Sequence, residues 1–200
     1  SGIGVFSFDF GGFIVDGGHS LKSKSSFLPS SASQAKPPQL LAHYDFPDDW
    51  EILLVILDSK NTVNGQKEVN IFQDYCPVPK NEVEQTSHII FMNMIPFLLE
   101  RDLPAFGHSI DEIQKRGFKN VEVSLQSQQI RDLMDKLREI GAYGVGMSSF
   151  GPTVYSVFDK NNKHIVEEIK EYVLKNYGMN VTNLYIAQVK RKYGIIEKRF

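Results

Sequence analysis

The chain has 200 residues, of which 42% are hydrophobic and 23% are charged, and its formal net charge at pH 7 is -2. This length and composition are ordinary for a globular protein of one or two domains. The weak net charge provides no field that would draw nucleic acid to the protein, and the sequence has neither basic–aromatic interleaving nor a helix-turn-helix pattern. We therefore expect no nucleic-acid partner.

Cysteine content and apolar patterning bear on the location of the protein. The single cysteine, Cys76, excludes an internal disulfide and fits a reducing cytoplasm. The richest apolar run, residues 89–99, is interrupted by Asn93 and Pro96 and is shorter than the roughly 18 residues that a membrane span needs. The first residues lack the charged-then-apolar plan of a secretory signal. These features predict a cytoplasmic protein with no membrane partner.

Glycine punctuates the N-terminal segment and indicates a hairpin. The alternation of Phe6, Phe8 and Phe10 predicts a first strand, and residues 13–15 predict a second strand after a glycine turn. Residues 20–39 are rich in Ser, Lys and Pro and have few apolar side chains. They predict an exposed, mobile loop.

The middle of the chain predicts one buried strand followed by helices. The nearly continuous apolar run at residues 50–58 predicts a central strand covered on both faces. A long apolar helix is expected to begin at residue 81 or 82. Pro104 suits the first turn of the next helix, and Gly117 is expected to end it.

The C-terminal half predicts alternating helices and strands. Apolar spacing over residues 130–140 predicts an amphipathic helix with Ser127 as its N-cap. A strand is expected over residues 153–158, then a helix over residues 165–173 and a closing strand over residues 184–189. This alternation predicts an α+β fold with helices on one face of a sheet.

The strongest local motif is the segment at residues 141–151, which carries four glycines and two serines between a predicted helix and a predicted strand. Glycines let backbone N–H groups approach an anion, and serines add hydroxyl donors. Dinucleotide-binding and Walker loops run from a strand into a helix, so this segment is neither. A helix C-cap followed by a turn is the alternative interpretation. The residues predicted to bind phosphate or substrate here are Gly141, Gly144, Gly146, Ser148 and Ser149.

A second group of candidates lies at the N-terminus. They are Ser1, Gly2 and Gly4 for phosphate, and Asp9, Asp16 and His19 for a metal or substrate contact. The two carboxylates could hold magnesium through water, although an Asp beside glycines more often caps a turn. The five histidines show no metal-ligand spacing. The sequence assigns no definite metal ligand and no catalytic residue.

Two strings carry a resemblance to a known family: SGIGVFSFDFGGFIVDGG at residues 1–18 and GAYGVGMSSFGPTVYSV at residues 141–157. They resemble the second half of the archaeal beta-ribofuranosylaminobenzene 5'-phosphate synthases, which belong to the GHMP-kinase-like superfamily. The resemblance covers most of residues 1–190. It implies that residues 1–48 are the end of the N-terminal GHMP-like domain, with the mobile loop, and that residues 49–200 are the C-terminal αβ-plait domain.

The resemblance also implies a partner for the chain. That family carries a further N-terminal segment, which precedes the Ser-Gly-Ile-Gly string and includes a glycine–serine loop that lines the phosphate site. The chain begins at Ser1 without a methionine. We therefore expect it to be a C-terminal portion that needs the N-terminal portion of the same protein, and the two glycine segments to line one anion site.

The implied activity is a step in methanopterin-type cofactor synthesis. A benzoate, either 4-aminobenzoate or 4-hydroxybenzoate, would attack the anomeric carbon of phosphoribosyl pyrophosphate, and pyrophosphate and carbon dioxide would leave. The resemblance implies small-molecule substrates, magnesium as a cofactor and no nucleotide. The site would have to stabilise an oxocarbenium-like centre and exclude water.

Other functions stay open. A small-molecule kinase of the same superfamily is one alternative, but Val5 stands where those kinases carry a carboxylate, and valine can neither accept a proton nor orient magnesium. A non-catalytic or degenerate relative is the other alternative. His19 and Met147 depart from the family pattern and leave room for a divergent paralogue with another substrate. A homodimer is also left open.

Overall fold

The computed structural model describes residues 2–20, 22, 24, 26–29, 32, 33, 35–57, 63, 65–179, 182 and 183, the last two by their backbone alone. The chain forms two compact units. The first contains residues 1–46 and 63–78, and the second contains residues 47–62 and 79–200. The division at residues 48 and 49 that the sequence suggests stays a prediction. Among the described residues, no helix combines the length and the apolar character that a membrane crossing requires.

The first unit begins with a helix, α1 (Gly2–Phe10), where the sequence predicted a strand. That prediction is wrong because a short period-two alternation also places its first and last members four residues apart, on one side of a helix. The rings of Phe6 and Phe10 stack with their centroids 6.4 Å apart. Phe8 points away and is 66% exposed.

The rest of the first unit is a small sheet and a second helix. β1 (Phe13–Asp16) pairs antiparallel with β2 (Leu40–Tyr44), and α2 (Gly65–Tyr75) follows later in the chain. The strand predicted over residues 13–15 is confirmed. The described residues between the two strands are mostly turns and irregular backbone, in which Pro29 and Pro38 are buried. The mobility expected for this segment stays a prediction.

The second unit contains a four-stranded antiparallel sheet. Its strands are β3 (Trp50–Ile56), β4 (Tyr143–Met147), β5 (Thr153–Asp159) and β6 (Thr182–Asn183). Their spatial order is β4-β5-β3-β6, which is the order of a β-α-β-β-α-β plait. The predicted α+β fold and the two central strands are therefore confirmed. The closing strand predicted over residues 184–189 lies outside the described residues.

Helices make up most of the remainder of the second unit. They are α3 (Lys80–His88), a π-helical turn (Ile89–Met94), α4 (Ile95–Glu100), α5 (Leu103–Gln114), α6 (Gly117–Ser124), α7 (Gln128–Ile140) and α8 (Lys163–Tyr177). The long apolar helix, the helix that begins near Pro104 and the amphipathic helix are confirmed. Gly117, with φ of 49°, does not end the predicted helix but begins α6, which the sequence did not predict.

The main core lies between one face of the sheet and the helices α7 and α8. Its least exposed side chains, at 0% or 1%, include Leu53, Leu133, Leu137, Val154 and Ile169. These side chains, which come from the sheet and from the two helices, exclude water from this face, and that burial drives the packing of the plait.

The expectation of helices on one face only is wrong. Phe106 of α5 packs against Trp50, with ring centroids 5.1 Å apart. Trp50 lies three residues from Leu53 on the same strand, so its side chain points to the opposite face. The prediction that β3 is covered on both faces fails at its end, because Ile56 is 54% exposed.

Candidate functional site

Residues 143–147, at the centre of the predicted glycine loop, form the strand β4. The prediction of a loop over residues 141–151 is wrong for these positions. The helix-cap interpretation of Gly141 is confirmed, because it ends α7 with φ of 107°. The segment therefore consists of a cap, a buried strand and a turn into β5.

The two glycines inside β4 are buried and are surrounded by protein. A Cβ atom on Gly144 would lie 2.8 Å from the Cα of Gly107 in α5, and a Cβ atom on Gly146 would lie 2.4 Å from the Oη of Tyr155. Burial of the Tyr155 hydroxyl raises its pKa to about 12, so the ring is neutral where it meets the strand. The structure gives both glycines a packing role, and their contact with phosphate stays a prediction.

β4 is an edge strand, and side chains cover its outer backbone groups. At Val145, the N–H donates to Asp111 Oδ1 over 3.1 Å, and the carbonyl accepts from Arg138 Nη2 over 3.0 Å. Asp111 Oδ1 also accepts from Arg138 Nε over 2.8 Å. These bonds join α5, β4 and α7, and they occupy the edge groups that another strand would otherwise pair with.

Met147 is the next residue of β4 whose backbone groups face away from β5, and side chains bind these groups in the same way. Its N–H donates to Gln114 Oε1 over 3.0 Å, and its carbonyl accepts from Lys119 Nζ over 3.2 Å. Lys119 belongs to α6, so this helix fixes the end of β4 where the chain turns.

The turn from β4 to β5 is the candidate functional site, which we call the serine turn (residues 148–151). The N–H of Ser148 donates to the carbonyl of Thr153, and the N–H of Gly151 donates to the carbonyl of Ser148, both over 2.9 Å. Ser148 and Ser149 are exposed, so their hydroxyls can reach a ligand. Ser149 has φ of 51°, a left-handed conformation that is uncommon outside glycine.

Polar side chains from α6 and from the residues after it donate hydrogen bonds to backbone carbonyls of the serine turn. Lys119 Nζ donates to the carbonyl of Ser149 over 3.3 Å and forms an ion pair with Glu122. Gln126 is 5% exposed, and its Nε2 donates to the carbonyl of Phe150. Its Oε1 is buried without a hydrogen-bond partner among the described residues. Sequence reasoning missed Lys119 and Glu122 because a Lys and a Glu three positions apart look like an ordinary exposed helical pair, and it missed Gln126 because Phe150, its partner, lies 24 residues away.

The serine turn is chemically suited to hold an anion. The two exposed hydroxyls of Ser148 and Ser149 can donate to phosphate oxygens. The turn itself contains no general acid or base. The arrangement therefore supports binding and orientation of a phosphorylated ligand.

Among the N-terminal candidates, Asp16 has a structural role. Its Oδ2 accepts from the N–H of Ile3 and its Oδ1 accepts from the N–H of Gly18, both over 3.1 Å. The carboxylate thus caps the first turn of α1 and the turn after β1, as the alternative interpretation proposed. Gly2 is buried, and a Cβ atom there would lie 2.9 Å from Asp16 Oδ2.

The other N-terminal candidates have different surroundings. Gly4 and Asp9 are exposed on α1, and His19 Nε2 lies 2.8 Å from the carbonyl oxygen of Lys36. Ser1 lies outside the described residues. Within the described ranges, no group of three or more His, Cys, Asp or Glu side chains could hold a metal ion. The common anion site predicted for the two glycine segments stays a prediction.

Comparison with known proteins identifies close relatives. A Methanothermobacter thermautotrophicus protein named beta-ribofuranosylphenol 5'-phosphate synthase is 53% identical over 86% of this chain and 52% of its own length. Proteins with the same name from Archaeoglobus fulgidus and Methanocaldococcus jannaschii are 48% and 46% identical over 86% and 90% of this chain, each over 53% of its own length. The predicted resemblance is confirmed, and the chain spans about half the length of these curated relatives.

The family and structural matches agree with the fold. Residues 94–178 match the family described as GHMP kinases C terminal. A homoserine kinase from Cytophaga hutchinsonii superposes with a TM-score of 0.53 and 16% identity, over 74% of this chain and 43% of that protein. At this identity the likeness concerns the fold alone. The predicted GHMP-kinase-like α+β architecture is confirmed.

Proposed function

We propose that this chain, whose residues 94–178 match the family described as GHMP kinases C terminal, is part of an enzyme that synthesises a C-riboside 5'-phosphate. The observation that carries the proposal is the identity of 46–53% to three proteins named beta-ribofuranosylphenol 5'-phosphate synthase. Because the chain spans about half of those relatives, the activity belongs to the complete protein.

The name of the relatives bears on the aromatic substrate. The name specifies a ribofuranosylphenol 5'-phosphate, so the ring in that compound carries a hydroxyl group. Of the two aromatic acids that the sequence left open, only 4-hydroxybenzoate leaves a phenol when its carboxylate is lost. We therefore propose 4-hydroxybenzoate as the acceptor and phosphoribosyl pyrophosphate as the donor.

The proposed reaction balances without a further reactant. The ring carbon that bears the carboxylate attacks the anomeric carbon of the ribose. The bond between the anomeric carbon and pyrophosphate breaks, and pyrophosphate leaves with the electron pair of that bond. The ring then loses carbon dioxide, and the electron pair of the broken bond between the ring and the carboxylate restores aromaticity. No nucleotide is consumed in this scheme, which transfers no phosphoryl group.

Within this scheme, the contribution of the serine turn is to bind phosphate. The exposed hydroxyls of Ser148 and Ser149 would donate to phosphate oxygens of the donor or of the product. Both oxygens of Asp16 accept backbone N–H groups, and no group of three or more His, Cys, Asp or Glu side chains in the described ranges could hold a metal ion, so the magnesium of this proposal has no assigned ligand here. No step is therefore assigned to magnesium through this chain.

The partner of the chain is, in this proposal, the remaining N-terminal half of the enzyme. Helix α1 exposes apolar side chains that a folded protein normally covers: Ile3 at 52%, Val5 at 42%, Phe8 at 66% and Phe10 at 58%. A cytoplasmic location, with no nucleic-acid or membrane partner, completes the proposal.

The test uses the complete protein and carboxyl-labelled 4-hydroxybenzoate. We expect release of labelled carbon dioxide that requires phosphoribosyl pyrophosphate and continues without ATP. A Ser148→Ala, Ser149→Ala double variant should raise the KM for phosphoribosyl pyrophosphate while the KM for 4-hydroxybenzoate stays near its original value, because the lost hydroxyls would contact phosphate.

ATP-dependent phosphorylation of a small alcohol without release of label would instead establish the kinase alternative. Tight binding of a phosphorylated metabolite without turnover would establish the degenerate relative.

A further inference from the structure

We propose that Lys119 is a positioning residue that holds the serine turn (residues 148–151) in its conformation, and that it does not itself bind the phosphorylated ligand. A lysine beside two exposed serines would ordinarily be read as a phosphate ligand. The consequence for catalysis rests on the proposed function, whereas the conformational effect does not depend on it.

The donors of Lys119 are already used within the protein. An ammonium group has three N–H donors. The Nζ of Lys119 lies 3.2 Å from the carbonyl oxygen of Met147 and 3.3 Å from that of Ser149, and it forms an ion pair with Glu122. A ligand would have to displace one of these three acceptors to reach the lysine.

Lys119 bridges two backbone carbonyls of the chain at the serine turn. Its two carbonyl partners flank Ser148, on the last residue of β4 and on the second residue of the serine turn. Ser149 has φ of 51°, a conformation that is unfavourable for a residue with a side chain. Such a conformation persists only where the surrounding structure imposes it. The hydrogen bond from Lys119 to the carbonyl of Ser149 is a direct way to impose it.

Lys119 is also the counter-ion of a buried carboxylate. Glu122 is 8% exposed, and its carboxylate would be buried without a counter-ion if Lys119 were not beside it. The ion pair therefore keeps Lys119 on the inner side of the turn. The cation stays paired inside the protein, and the serine hydroxyls remain on the outer side.

The experiment separates positioning from simple neutralisation of Glu122. A Lys119→Met, Glu122→Met double variant removes both charges together and leaves no unpaired buried charge, so the fold is expected to be retained. The matched control is Lys136→Met, Glu139→Met on α7, which removes an exposed pair with the same spacing and order. Hydrogen exchange of the complete protein is measured by mass spectrometry on peptides that cover residues 147–153 and 50–56.

In the Lys119→Met, Glu122→Met variant, we expect the amides of Ser148 and Gly151 to exchange roughly tenfold faster, because hydrogen bonds from a charged donor are the stronger ones. Exchange in β3 should be unchanged, and so should all exchange in the control. A Lys119→Arg variant keeps a cationic donor and should restore slow exchange. Unchanged exchange in the turn, or faster exchange throughout the sheet, would overturn the proposal.

Kinetics of the same variants then test the link to catalysis. With the turn displaced, the KM for phosphoribosyl pyrophosphate should rise roughly tenfold, and Lys119→Arg should recover it. Faster exchange in the turn with an unchanged KM would support positioning and would contradict the proposed contact between the turn and substrate. If the original protein shows no synthase activity, the proposed function fails, and the exchange data still decide the role of Lys119.

Discussion

At Gly144 the backbone of β4 comes so close to α5 that a side chain has no space. A Cβ atom would lie 2.8 Å from the Cα and 3.1 Å from the carbonyl oxygen of Gly107, and φ is 61°. Backbone atoms cannot move aside as the end of a flexible side chain can. The sequence showed that glycine was concentrated here, but it could not show the reason, because the neighbour that requires glycine lies 37 residues earlier in the chain.

A Gly144→Ala substitution should therefore destabilise the second unit by about 2–5 kcal/mol, the sum of left-handed strain and overpacking. Gly178 provides a matched control, because its φ is 65° and nothing lies within 4 Å of the added Cβ atom. Gly178→Ala should be destabilising by about 1–2 kcal/mol, from strain alone. Urea unfolding followed by Trp50 fluorescence measures both, since this is the single tryptophan and it is buried in β3. A loss of ligand affinity at full stability would contradict the packing role.

At the scale of elements, hydrophobic spacing predicted the long helices well because their apolar faces alone identify them. α7 is the clearest example, since Ile130, Leu133, Met134 and Leu137 recur at helical spacing and are all buried. Hydrophobic spacing gave the wrong element for α1, because the five residues from Phe6 to Phe10 fit both the helical and the strand period. It also missed the strand β4, because two of the five residues of β4 are glycines. The polar residues that support the serine turn were also not predictable, because they become neighbours only when α6 packs beside the end of β4.

Side chains of α5 and α7 bind the outer backbone groups of β4, and we expect these bonds to contribute to stability. Asp111→Ala removes the acceptor for the Val145 N–H and one partner of Arg138, so it should be destabilising by about 1–3 kcal/mol. Asp135 pairs with the same arginine over 2.9 Å, but its side chain is 73% exposed. Asp135→Ala should therefore change stability by less than about 0.5 kcal/mol. Thermal unfolding of the two variants makes the comparison, and equal effects would show that Asp111 acts only as a surface ion-pair partner.

At the scale of the whole molecule, the two units differ in how completely they are packed. In the second unit, one cluster of buried apolar side chains joins β3, β4 and β5 to α7 and α8. In the first unit, α1 exposes most of its large apolar side chains to solvent. The fold of the second unit could be predicted from its alternation of elements and from the resemblance. The exposed apolar side chains of α1 could not be predicted, because a local sequence pattern does not show which surface of an element stays uncovered.

We expect the 200-residue chain alone and the complete protein to differ in activity. The 200-residue chain alone should have no synthase turnover, although its second unit should fold, because the chain spans about half of relatives that are named as synthases. A chimera that joins the N-terminal half of the Methanothermobacter thermautotrophicus relative to this chain should release carbon dioxide from labelled 4-hydroxybenzoate. In that chimera, hydrogen exchange in α1 should slow, because Ile3, Phe8 and Phe10 would be covered.

The matched control is the same chimera with Ser148→Ala and Ser149→Ala, which should keep the protection of α1 and show a raised KM for phosphoribosyl pyrophosphate. Full activity of the chain alone would show that the catalytic site lies entirely within these residues.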